Sequence, residues 1–111
     1  MKTLKDFNYK NYSVMISASF NNGYVPSVTV MLGIYDQDNK QLYHDLSKVV
    51  ATEKRKFLFW ELEKEGTLKE NTIAKINYYT DRAKRYIDSH LYELEVTAGL
   101  TDSLDVIVKE G

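Results

Sequence analysis

The chain contains no cysteine, which excludes disulfide bridges, thiolate metal sites and cysteine nucleophiles. A reducing compartment, the cytoplasm, is the expected location for such a chain. It has one proline, and its five glycines are scattered singly, so no glycine-rich phosphate loop can be assembled. Long apolar runs are also missing. The longest, around Val28 to Ile34 and Phe57 to Trp60, are far too short to span a bilayer, so no membrane partner is expected. Met1 and Lys2 give a positive start, but no apolar run follows as a signal peptide requires. The formal net charge of −1 supplies no global field to attract nucleic acid, and any such binding needs a local patch.

What is present is ordinary for one soluble globular domain spanning residues 1–111: 43% hydrophobic and 28% charged residues. Nine tyrosines and many Asn and Lys match a low-GC coding sequence, which fits a phage or plasmid of a Gram-positive bacterium.

Residues 1–11 are polar around Phe7 and Tyr9 and are expected to form an arm pinned by those two rings. Tyr12 to Phe20 alternates, with Tyr12, Val14, Ile16, Ala18 and Phe20 on one side, as in a half-buried strand. Asn21-Asn22-Gly23 carries the Asn-Gly pair of a tight hairpin turn. A second strand runs from about Pro26 or Ser27 to Tyr35, with Val28, Val30, Leu32 and Ile34 on one face. Asp36 to Lys40 forms the next turn, and Gln41 to His44 opens a third, shorter strand. The first half therefore reads as a three-stranded antiparallel meander.

From Thr52 to Glu65 the spacing turns helical: Thr52 can cap, Phe57 and Trp60 stand three apart, Leu58 and Leu62 four apart, and Gly66 ends the helix. Its charges oppose the helix dipole, at a cost of at most about 1 kcal/mol per exposed group. Burial of Phe57, Leu58, Trp60 and Leu62 outweighs this at about 1.5–3 kcal/mol each, so Trp60 is expected in the core. Gly66 to Glu70 reads as a loop. The stretch 71–94 then places Ile73, Ile76, Thr80, Ala83, Ile87, Leu91 and Leu94 on one helical stripe. It also admits a strand over 74–80, because Tyr78, Tyr79 and Thr80 favour strands and Asp81 can cap a following helix. Glu93 to Thr97 and Leu104 to Lys109 alternate as strands. The expected class is α+β: the meander, two helices and one or more C-terminal strands.

With the strand reading of 74–80, the element order resembles a ribonuclease H-like domain. The resemblance rests on Ile16-Ser17-Ala18-Ser19-Phe20-Asn21-Asn22-Gly23, similar to that family's first strand and turn, and on Ile76-Asn77-Tyr78-Tyr79-Thr80-Asp81, similar to its fourth strand. It implies a mixed sheet over about residues 12–97 and two metal ions held by carboxylates. Here the first carboxylate position falls on Ser17, the helix position falls near Lys56, and only Asp81 remains. One aspartate cannot hold two cations a few Å apart, so the resemblance implies a catalytically dead relative without metal or other cofactor.

Other chemistry is equally sparse. His44 and Asp45 are strand neighbours pointing to opposite faces, not a dyad, and His90 lies on a helix flank. Asp36-Gln37-Asp38-Asn39-Lys40 starts like a calcium loop but has Gln41 at the glycine position and Ser47 at the closing acidic one. No enzyme is indicated. One surface feature rises above background. On a helix through 72–94, Lys75, Tyr78, Tyr79, Arg82, Arg85, Tyr86 and Ser89 recur at three- and four-residue spacing, opposite the apolar stripe. Tyrosine and arginine together are what protein interfaces and nucleic-acid stacking platforms use. Competing with that reading, the rings pack on neighbouring elements and the cations are solvated, paired as Lys84–Asp88 and Asp81–Arg85. The expected function is a small non-enzymatic binding protein, encoded by a phage or mobile element, that binds and modulates a host protein. The alternatives are a nucleic-acid-binding module using the same stripe and a subunit of a homo-oligomer.

Overall fold

The computed structural model describes residues 1–52 and 60–110, with side chains at 1–52 and 67–100. Four strands, β1 (Lys2–Tyr9), β2 (Tyr12–Asn21), β3 (Ser27–Tyr35) and β4 (Gln41–Val50), precede one helix, α1 (Trp60–Glu110). The strands pair in sequence order and every pair is antiparallel. The strands expected over Tyr12 to Phe20 and Ser27 to Tyr35 are present, in a register that sets Val14 opposite Ile34 and Ile16 opposite Leu32. β4 runs on to Val50, past the short strand expected at Gln41 to His44.

The fold departs from the expected class: there are four strands, not three, and one helix in place of two helices and C-terminal strands. The supposed arm at 1–11 is the edge strand β1. Its link to β2 is the tight turn of the molecule, with Lys10 (φ 47°) and Asn11 (φ 70°) both left-handed, as a two-residue type I′ hairpin needs. The tight turn expected at Asn22-Gly23 is instead a loop of 22–26, because Asn21 already pairs with Ser27. The β3–β4 turn is held by the Asp36 side chain, whose Oδ1 accepts from the backbone N–H of Asp38 and of Lys40, each at 2.9 Å. An Asx turn of this kind satisfies local donors without any cation.

Residues 74–80 are helical, and no mixed pairing of the ribonuclease H-like kind occurs among the described residues. The strand propensity of Tyr78 and Tyr79 yields to packing. Ile76, Tyr79, Thr80, Ala83, Ile87 and Leu91 recur every three or four residues and lie against the sheet, which a strand would divide between two faces. Gly66 stands inside α1 and not at a helix end, and 93–97 and 104–109 are helical rather than extended. Their alternation is short, Leu100, Leu104 and Ile107 also fit helical spacing, and extending an existing helix is easier than starting a strand. Of the helix expected over 52–65, residues 53–59 lie outside the described residues and 60–65 form the first turns of α1. The burial expected of Trp60 also concerns a side chain outside the described ones.

The core lies between one sheet face and the middle of α1. Val14, Ile16, Val30, Leu32, Ile34 and Val49 on the sheet meet Tyr79, Ala83 and Ile87 on the helix. Polar contacts tie both edges down. Beside β1, Lys5 Nζ donates to Thr80 Oγ1 at 3.1 Å, and Tyr9 and Lys10 both reach Asp88. At the end of β4, Asn71 Nδ2 donates to the Val50 carbonyl at 3.0 Å. The 51-residue helix spans roughly 76 Å at 1.5 Å per residue and sets the 78 Å length of the molecule. Residues 92–100 are all exposed, so α1 leaves the sheet after Leu91.

Candidate functional site

The structure brings most of the tyrosine–arginine stripe together beside β4. Tyr78, Arg82, Arg85, Tyr86 and Ser89 of α1, with Asp81, line a groove of about 290 Å³ whose opposite wall is Tyr43 of β4. Helical spacing puts 78, 82, 85 and 89 along one flank of α1, roughly 130° around the axis from the sheet-facing row at 100° per residue. The strand alternation that sends Val49 into the core also turns Tyr43 towards the helix.

Arg82 is fixed in this wall. Its Nε donates to Tyr43 Oη at 2.8 Å and lies 3.6 Å from Asp45 Oδ2. Its Nη1 donates to Tyr78 Oη at 3.4 Å, and the guanidinium sits 5.4 Å from the centre of the Tyr43 ring, within cation–π range. The hydrogen bond to Tyr43 is the first cause holding the Arg82 pKa above its ordinary value. Since Tyr43 Oη accepts from Arg82, its own proton is free to donate into the groove.

Aromatic rings continue the wall. Tyr43 and Tyr86 lie 4.7 Å apart between centroids, Tyr86 stacks on His90 at 6.1 Å, and Tyr12 meets His90 edge-on at 5.8 Å. Tyr86 Oη donates to the Leu42 carbonyl at 3.2 Å. His90 is therefore a half-buried packing residue, while His44 lies exposed on β4. Lys75 stands above the neighbouring Tyr78 and Tyr79 rings at 5.0 and 5.7 Å.

Two stripe residues have roles other than those expected. Tyr79 is fully buried and belongs to the core; its hydroxyl and Ser47 Oγ lie 2.5 Å apart. Burial pushes the Tyr79 phenol above the ordinary tyrosine range, and the Ser47 hydrogen bond opposes the shift. Tyr86 is only half exposed. The ion pairs expected within the helix do not form among the described side chains: Asp88 pairs with Lys10 at 2.7 Å instead of Lys84. Arg85 is exposed and makes no hydrogen bond or ion pair there.

Sequence reasoning missed Tyr43, Asp45 and the Leu42 carbonyl. Each comes from a strand more than thirty residues away, and only the packing of α1 along β4 unites them with the stripe. Among the described residues, no His, Asp and Glu side chains group as a metal site requires, and no helix is long and apolar enough to cross a membrane. The groove thus offers one unpaired guanidinium, a free phenolic donor and stacked ring faces: equipment for holding an anionic, partly apolar group. No family model matches the chain, and neither the curated proteins nor the solved structures contain a match to it.

Proposed function

We propose that the protein is a small non-enzymatic binding protein that docks an acidic segment of another protein in the groove between α1 and β4. The observation that carries this reading is Arg85. Its exposed guanidinium has no internal partner among the described residues, and it stands beside tyrosines already held in place by Tyr43, Arg82 and Leu42. Rigid tyrosines and arginine are the residues that supply most of the energy at protein interfaces, because they bury large area for little lost rotamer freedom. A host factor is the partner that the coding composition suggests, with the protein acting as its modulator in the cytoplasm. Asp81 also lines the groove and disfavours a run of phosphates, so a protein carboxylate fits better than nucleic acid.

The test is capture from a bacterial lysate by the intact chain and by Arg85→Glu, with bound proteins identified by mass spectrometry and binding repeated across salt concentrations. The reading expects a protein retained by the parent chain and lost from the variant. A nucleic-acid ligand whose affinity falls several-fold per doubling of salt, as counterion release dictates, overturns it. So does cleavage of DNA, RNA or a hybrid in Mg²⁺ that disappears with Asp81→Asn.

A further inference from the structure

The flank of α1 that carries the groove does not stop where the sheet stops. Counting from Ser89 towards the N-terminus, the flank holds Arg85, Arg82, Tyr78 and Lys75, at offsets of 4, 7, 11 and 14 residues. At the same offsets towards the C-terminus stand Glu93, Val96, Leu100 and Ser103. At 100° per residue all nine positions keep to one side of the helix, and their spacing of three and four is that of a helix–helix seam. The sheet-facing row instead runs on as Leu94, Ala98, Thr101 and Asp105, losing its apolar character once there is no sheet to meet.

Past Leu91, apolar residues therefore move to the groove side. Val96 and Leu100 are exposed, Leu100 at 59%, and nothing else in the described chain reaches them. A helical end of this kind gains little stability from propensity alone and needs a packing surface.

The row is complementary to itself when reversed. We infer that the segment docked in the groove is α1 of a second copy of this chain, antiparallel and related by a two-fold axis beside Ser89. The inference rests on reading the groove as a protein-binding surface and names its occupant. In this pairing Glu93 of each copy supplies the carboxylate that Arg85 of the other lacks. Val96 and Leu100 of each copy cover the Arg82–Tyr43 plane and the Tyr78 ring of the other. Ser89, the smallest side chain on the inner half of the row, sits at the crossing, where the helices approach most closely. A two-fold interface must be self-complementary in this way. The strip from 75 to 103 is roughly 42 Å long and about 10–12 Å wide on each copy. That falls below the standard interface of about 800 Å² per partner, so the expected association is micromolar and reversible.

Sedimentation equilibrium of the intact chain, over a concentration series spanning the micromolar range, tests the assignment. A monomer–dimer equilibrium is expected. Arg85→Glu and Glu93→Arg should each weaken it by about tenfold or more, the effect of losing a close charge pair. The Arg85→Glu/Glu93→Arg double variant should restore it, since the charges are exchanged and the geometry kept. Circular dichroism melting separates loss of association from loss of folding. A chain that stays monomeric throughout overturns the inference, as does a dimer that neither single substitution weakens or that the double variant fails to restore. If the chain is monomeric yet Arg85→Glu still abolishes capture of another protein, the groove's binding role stands and only its proposed occupant falls.

Discussion

Tyr78 and Tyr79 are neighbours in sequence and opposites in role. Tyr78 is half exposed in the groove wall, whereas Tyr79 is fully buried and bonded to Ser47. Tyr79→Ala should cost about 3–5 kcal/mol, the size of a large aromatic truncation in a core, measured as a fall in urea-unfolding free energy. Alanine at Tyr78 should stay within about 0.5 kcal/mol, as exposed substitutions do. The composition of the stripe was legible in the sequence, but its division was not. The residue types are the same, and only the strand beneath decides which ring is covered. Asp88 gives a second residue-scale expectation. The hydrogen bond from Lys10, and then that from Tyr9, hold its carboxyl below the ordinary carboxylate value, against a smaller desolvation effect. A depressed folded-state pKa contributes stability that is complete above the unfolded value of about 4 and is lost as pH falls through the folded one. Asp88→Asn should therefore flatten the acid limb of the stability–pH curve below about pH 4. An unchanged limb would show that this exposed pair contributes nothing.

At the scale of elements, β2, β3 and their register were readable because alternation ties each apolar residue to one face, and a one-residue slip would turn them all outward. β1 was hidden because only Phe7 and Tyr9 of its eight residues are half-buried, so the strand carries almost no alternating signal. The unity of α1 was hidden by Gly66 and by two stretches that alternate over five or six residues. Gly66 offers a direct check. In a helix interior, Gly→Ala gains about 1 kcal/mol, whereas alanine at a left-handed helix terminus is destabilising. Gly66→Ala should therefore raise the melting temperature; a lower one would mean that the chain breaks there.

At the scale of the whole molecule, one long helix serves two surfaces. One side of its middle closes the core over the sheet, and a flank about 130° away carries Arg85 and the groove. The sheet's other face, with Met15 and Leu46 exposed, takes no part in either. That α1 has an apolar side and a tyrosine–arginine side could be read from spacing alone. That the second side gains a wall from β4 could not, because strand-to-helix packing leaves no periodicity in the sequence. The account stands on the independence of these two surfaces. Calorimetric titration of the captured partner against the intact chain and Arg85→Glu, alongside thermal melting of both, measures it directly. The expected result is an affinity loss of about 2 kcal/mol or more, the size of an interface hot spot, with unfolding free energy unchanged within about 0.5 kcal/mol. Equal affinity for both chains, or an affinity lost only together with early melting, would contradict it.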